Sequence, residues 1–208
     1  MIGIICPSLF EYRALDRAKL KKAGVPVLLS GMGKLRAILG ALKLYEKHPG
    51  LEGILLVGFA GGLTPNLCIG DVLEPLIFIE QDYCAEPFEK FPNKIQLGAR
   101  RKLVRESRRA VLLTQDRFLT ENPYKGGKLT HRFSTIGCDM ESYAVAKFCL
   151  EKKIRFGAIK LVSDVADETA SHDFLAACRR LAPKLNRTVL AAVKSFAKNF
   201  SGLKKEIA

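Results

Sequence analysis

The chain has 208 residues, 48% of them hydrophobic, and a formal net charge of +13 from 34 Lys and Arg against 21 Asp and Glu. That length fills one core and falls short of two, so a single domain over residues 1–208 is expected. No apolar run approaches the ~20 residues that span a bilayer, and Met1 to Cys6 lacks the basic lead-in of a signal peptide, so a soluble, cytoplasmic protein with no membrane association is expected.

Six cysteines (Cys6, Cys68, Cys84, Cys138, Cys149, Cys178) form no CxxC pair, and His48, His131 and His172 are dispersed. Neither a disulfide framework nor a zinc site is expected from that spacing. Basic residues gather at 19–22, 100–109, 179–187 and 194–205. Several of these runs read as solvated faces of amphipathic helices, so nucleic acid is not the expected partner.

In chain order, Ile2 to Cys6, Val25 to Leu29, Gly53 to Gly58, Val72 to Ile79, Val111 to Leu113 and Phe156 to Val162 are continuous apolar runs. Such runs suit strands buried on both faces, as in a mostly parallel sheet. Between and after them, residues 11–23, 34–47, 142–152 and 172–199 have helical spacing. In the second, Leu35, Ile38, Leu39, Leu42 and Tyr45 make one apolar stripe. The alternation implies an α/β sandwich. Residues 80–98, with Pro87 and Pro92, read as a loop over a sheet edge.

Two glycine elements and two acidic elements carry the chemistry. Gly31-Met32-Gly33-Lys34 follows a strand and opens a helix, where close backbone approach and a helix N-terminus favour an anion. Gly58-Phe59-Ala60-Gly61-Gly62 reads as a strand that turns through glycines. Lys160-Leu161-Val162-Ser163 leads into Asp164 at the carboxyl end of a strand, where α/β proteins place ligands. Cys138-Asp139-Met140-Glu141-Ser142 opens an apolar helix. Carboxylates at two such edges suggest an enzyme acting on a glycosidic bond. Each residue also has a plain structural reading. Asp164 or Asp167 could cap a turn, Glu11 could decorate a first helix, Glu141 could favour a helix N-terminus, and Phe118 could be core.

Taken together and in order, Val57 to Leu63, Gly70-Asp71-Val72, Asp139 to Ser142 and Val162 to Asp167 resemble the purine nucleoside phosphorylase and nucleosidase superfamily. Within it the likeness is strongest to 5′-methylthioadenosine/S-adenosylhomocysteine nucleosidases and covers nearly the whole chain except 80–109. The resemblance implies a three-layer α/β/α sandwich around a mixed, mostly parallel sheet, with no metal or organic cofactor, and a homodimer. It places Asp164 as the acid that protonates the departing purine, Glu11 as the base for water, and Glu141 on the ribose hydroxyls. Met140 packs on the sugar, Phe118 stacks on the base, and Leu119 and Ser163 stay in the pocket wall. Phe59 and Lys160 depart from the family, which carries a small hydroxyl residue and an arginine at those positions. Leu56 replaces a phosphate-binding arginine of the phosphorylases, and their N-terminal phosphate loop is also missing, which favours water as nucleophile.

The expected function is hydrolysis of a 5′-substituted adenosine, a small-molecule nucleoside, to release adenine. Three alternatives stay open: phosphorolysis with Lys34 and Lys160 as anion ligands, a related nucleosidase acting on futalosine or adenosylhopane, and a basic nucleic-acid-binding protein on a decayed nucleosidase scaffold.

Overall fold

A computed structural model describes residues 1–83, 93–98, 101–122 and 134–201. Its strands are β1 (Ile2–Cys6), β2 (Val27–Leu29), β3 (Gly53–Gly62), β4 (Val72–Glu80), β5 (Lys94–Gln96), β6 (Arg108–Thr114), β7 (Ile136–Asp139) and β8 (Arg155–Asp164). Its helices are α1 (Leu9–Ala14), α2 (Arg17–Lys22), α3 (Lys34–Lys47), α4 (Ser142–Glu151) and α5 (Ala170–Ser201).

The sheet runs β2-β1-β3-β7-β6-β4-β5, and β8 pairs with both β3 and β4. β1, β3 and β8 run parallel, in register from Ile2 opposite Gly53 and from Gly53 opposite Arg155. β7 meets the end of β3 antiparallel, Gly61 opposite Cys138, and β8 meets β4 antiparallel at Leu161 opposite Val72. The sheet is therefore mixed, and the carboxyl ends of β1, β3 and β8 all open on one side.

Two-residue alternation builds the layers, because successive strand side chains point to opposite faces. Ile4, Leu55, Val57, Ile159 and Leu161 pack with Leu20 of α2 and Leu185, Val189 and Phe196 of α5. Ile5, Ile54, Leu56 and Ala158 face the other way, onto Ala37, Ala41 and Leu44 of α3 and Val145 and Cys149 of α4. Full burial of each large aliphatic side chain contributes roughly 1.5–3 kcal/mol, and every residue of β3 is buried. These helices on both faces of a mixed sheet are the sandwich expected from the sequence.

Four local expectations are corrected. The helix expected over 11–23 is two helices, because Leu15 is extended and inserts into the core. Asp16 then caps α2 by accepting the Lys19 N–H at 3.0 Å. The stripe expected on α3 is offset: its buried face is Ala37, Gly40, Ala41 and Leu44, while Leu35 is 70% and Leu39 55% exposed. Small residues face much of the sheet there, and Leu35 and Leu39 of the expected stripe lie on the outer face, while Tyr45 packs against the core.

Third, β3 does not turn at Gly58 but continues through Gly62. Fourth, β5 and β7 were not expected, and at three and four residues neither is long enough to display a period. β5 falls inside the loop expected over 80–98, and residues 84–92 of that loop lie outside the described residues. So do Cys84, His131 and part of the basic runs at 100–109 and 194–205. Among the described residues no helix is long and apolar enough to cross a membrane.

Candidate active site

A cavity of about 390 Å³ opens at the carboxyl ends of β1, β3, β7 and β8, with the loop after β6 and the start of α5 as further walls. Its floor is acidic and is built by backbone. Ser8 caps α1 and Glu11 is the third residue of that helix, the two forming a reciprocal capping box. The Ser8 N–H donates to Glu11 Oε2 at 2.6 Å and the Phe59 N–H donates to Oε1 at 3.0 Å. Glu11 is only 4% exposed. Burial pushes its carboxyl above the ordinary 4.5, opposed by the Lys160 charge and by these N–H donors.

The glycines of β3 have a purpose other than turning. A Cβ on Gly58 would sit 2.1 Å from Glu11 Oε1, and one on Gly61 would sit 3.0 Å from Asp164 Oδ1. Three residues apart on one strand, they make room for both carboxylates. Asp164 ends β8 and is buried. Its Oδ2 accepts the Ser163 hydroxyl at 2.7 Å, and its Oδ1 accepts the Ala166 N–H at 3.0 Å. Ala166 itself is held at φ +51°, a left-handed conformation that L-residues rarely adopt and that clusters at functional sites. Burial raises the Asp164 pKa from the ordinary 3.8, against the lowering effect of the Ser163 and Ala166 donors.

Glu141 stands at the cap position of α4 and accepts the Gly33 N–H at 3.0 Å. Burial raises its pKa to about 7, with Lys160 pulling it down and Asp139 and Glu11 adding to the rise. Lys160 is wholly buried behind this wall. Its Nζ lies 2.9 Å from Asp139 Oδ2 and 3.7 Å from Glu141 Oε2. The closer contact is an ion pair rather than an aligned hydrogen bond, since Nζ has no partner of hydrogen-bond geometry among the described residues. Burial alone would push the Lys160 pKa down, but Asp139, Glu141 and Glu11 together carry it well up. Asp139 is held in turn by the Thr114 hydroxyl at 2.8 Å and the Ser142 N–H at 3.1 Å.

The mouth is apolar. Phe174 of α5 meets Phe118 edge-on at a centroid distance of 5.7 Å, Phe59 at 6.1 Å and Phe10 at 6.5 Å. Met32 and Leu175 extend this wall, each about half exposed.

Of the residues named from the sequence, Glu11, Asp164, Glu141, Met140, Phe118, Leu119, Phe59 and Ser163 all line this one cavity. Lys160 does not; it sits behind the wall as the counter-ion of the acids. Ser8 and Phe174 were missed, and Asp139, though part of a motif read from the sequence, was given no role. Ser8-x-x-Glu11 carries the capping-box signature that would have flagged the first. Phe174 has no local signal, because only the packing of α5 brings it to the mouth. Among the described residues no cluster of three or more His, Cys, Asp or Glu could hold a metal ion.

The anion site suggested by Gly31-Met32-Gly33-Lys34 is filled by the protein itself. Gly33 N–H goes to Glu141, and Lys34 N–H donates to Asp116 Oδ1 at 2.7 Å. Lys34 Nζ lies 2.8 Å from Glu80 and 2.7 Å from Asp82. Leu56 is fully buried in the core.

Comparison with known proteins agrees with this architecture. An aminodeoxyfutalosine nucleosidase of Campylobacter jejuni is 28% identical over 173 residues, covering 76% of this chain and 75% of its own. The native structure of futalosine hydrolase of Helicobacter pylori superposes with a TM-score of 0.79 at 20% identity, covering 93% of this chain and 97% of that one. A 5′-methylthioadenosine/S-adenosylhomocysteine nucleosidase from Neisseria meningitidis, in complex with methylthio-immucillin-A, gives 0.78 at 20% identity over 93% and 98%. These relatives are N-glycosyl hydrolases, in accord with the enzyme class expected from the sequence. The family described as the phosphorylase superfamily matches residues 13–194, and the chain belongs to it.

Proposed function

We propose that the protein is an N-glycosyl hydrolase that cleaves a 5′-substituted adenosine to adenine and a 5′-substituted ribose. The observation that carries this reading is the pair Glu11 and Asp164, two buried carboxylates that line one cavity, each seated against a glycine of β3, Gly58 and Gly61 respectively. Asp164, its pKa raised by burial, holds the proton that the departing purine needs as charge develops on its ring. Glu11 takes a proton from water as the oxygen bonds to C1′. Glu141 accepts from the ribose hydroxyls, Met140 packs on the sugar, and Phe118 covers the base with Leu119 and Ser163 beside it.

Water is favoured over phosphate by charge. The cavity walls carry Glu11, Asp139 and Glu141, whose carboxylates repel an incoming anion. The two lysines that could have received phosphate are both engaged by carboxylates, Lys34 by Glu80 and Asp82 and Lys160 by Asp139.

The nature of the 5′ group is the finer question, and the relatives named above act on different nucleosides. The test is base release, followed by chromatography, from methylthioadenosine, S-adenosylhomocysteine, aminodeoxyfutalosine, futalosine and inosine, each with and without phosphate. Adenine released without phosphate is expected, and release that strictly requires phosphate would overturn the hydrolase reading. The same reading includes a homodimer. Its support is the exposed apolar run of Leu29, Met32, Leu35 and Leu39, continuous with the cavity mouth at Met32. Light scattering should give twice the chain mass, falling to one with Leu35→Glu and Leu39→Glu combined.

A further inference from the structure

We infer that Ser8 is a positioning residue for the attacking water, supplying a hydroxyl that β3 lacks. The inference rests on the hydrolase reading above and adds a residue to it. Ser8 lines the same cavity as Glu11 and is 8% exposed. Its N–H holds Glu11 Oε2 at 2.6 Å, and its Oγ accepts the Glu11 N–H at a long 3.3 Å. Burial raises the Glu11 pKa, and the Ser8 side chain opposes that rise after Lys160 and the two backbone donors.

The other N–H donor to Glu11 is Phe59, which contributes backbone only, since its side chain has no hydrogen-bonding atom and its ring meets Phe174 edge-on at 6.1 Å. Two further serines line the cavity. Ser163 is committed to Asp164 Oδ2 and the Ala60 carbonyl, and Ser171 is exposed on the first turn of α5. Ser8 is thus the hydroxyl beside Glu11 among the described residues of the wall.

A serine oxygen has two lone pairs, and the Glu11 N–H takes one of them. The second accepts one hydrogen of a water whose other hydrogen lies on the Glu11 carboxylate. Both hydrogens being engaged, the water's lone pair is left to face C1′. As the C1′–N bond breaks, its electron pair leaves with the purine, which takes the Asp164 proton. The C1′–O bond forms and the water proton passes to Glu11. Ser8 gains and loses nothing; it fixes the orientation of the nucleophile.

Because Ser8 also caps α1, the test must separate the two roles. Glycine retains most of the capping preference while removing the hydroxyl, and threonine retains both. The backbone at Ser8, φ −113° and ψ 159°, is extended and accepts either. Adenine release by wild type, Ser8→Gly and Ser8→Thr is measured in water and in water–methanol mixtures, with melting temperature alongside. Ser8→Gly should lower kcat about tenfold, the loss of one net hydrogen bond in the transition state, with KM and melting temperature near wild type. The share of methyl riboside among the products should rise, because the site no longer selects an oriented water. Ser8→Thr should restore both.

A Ser8→Gly enzyme with the wild-type kcat and product ratio overturns the inference. So does a kcat that falls only with melting temperature, or that threonine does not restore. If wild type itself releases no base from any nucleoside, the hydrolase reading fails first and the role of Ser8 falls with it.

Discussion

The floor and the mouth of the cavity are built by opposite means. On the floor, Glu11, Asp164 and Glu141 are each 1–5% exposed and each accepts at least one backbone N–H, and β3 makes room for two of them with glycines. At the mouth, Phe10, Met32, Phe118 and Leu175 are 38–50% exposed and are placed by ring edges and chain packing. Backbone donors fix an atom to fractions of an ångström, as bond-making requires, whereas apolar contacts fix a shape. The floor should therefore govern kcat and the mouth KM, and substitutions in each region test that division.

The largest effect is expected at Asp164. Asp164→Asn keeps the shape and loses the transferable proton, so kcat should fall by roughly 10²–10⁴-fold, the usual worth of a general acid. Steady-state adenine release with unchanged circular dichroism checks it, and a near-normal rate would remove Asp164 from the floor's chemistry. Next comes a residue with no chemistry of its own. Gly58→Ala places a methyl 2.1 Å from Glu11 Oε1, so the carboxylate must shift. A displacement of about 1 Å at a reacting group can cost on the order of 10²-fold in rate. If the alanine enzyme turns over normally, the close fit of glycine and acid is packing alone.

That glycine shows how far the sequence could be read. The apolar runs at β1, β3 and β8 were legible because they are buried on both faces, and that at β4 because its first four residues are. The floor was legible because its acids sit at strand ends and at a helix opening, in motifs that recur as a set. What escaped depends on distant partners. Gly58 and Gly61 look like turn residues until Glu11 and Asp164 are placed against them in space. Lys160 looks like a ligand contact until Asp139 and Glu141 close on it from β7 and α4. The outward Leu35 and Leu39 look like core, because only the small residues Ala37, Gly40 and Ala41 let α3 approach the sheet.

Lys160 sharpens the comparison through stability. It is the buried counter-ion of the floor, and removing one partner of such a pair typically costs about 3–5 kcal/mol. Lys160→Met should therefore lower unfolding free energy by that order in urea, with a magnitude that depends on pH. Glu141 ionises at about 7 in the folded chain against about 4.5 unfolded. A raised carboxyl contributes stability that is present below the unfolded value and lost as pH rises through the folded one. Without Lys160 the upward shifts of Glu141 and Glu11 grow, so the gap between variant and wild type should widen as pH rises through about 7, where the wild-type Glu141 ionises. A gap independent of pH would mean that Lys160 acts by packing.

The smallest effect belongs to the mouth. Phe174 touches three rings and no acid of the floor depends on it for a hydrogen bond. Phe174→Leu keeps an apolar side chain and removes the edge contacts, each worth about 0.5–1.5 kcal/mol. KM should rise by about 2–10-fold for a nucleoside with a bulky 5′ group, since each 1.4 kcal/mol is tenfold in binding. For a nucleoside with a small 5′ group KM should move less, and kcat should hold in both cases. A fall in kcat at constant KM would place Phe174 with the floor instead. The chain would then position its acids through α5 as well as through β3, and the rings at the mouth would transmit that constraint to Glu11 through Phe59, whose N–H binds the carboxylate and whose ring meets Phe174.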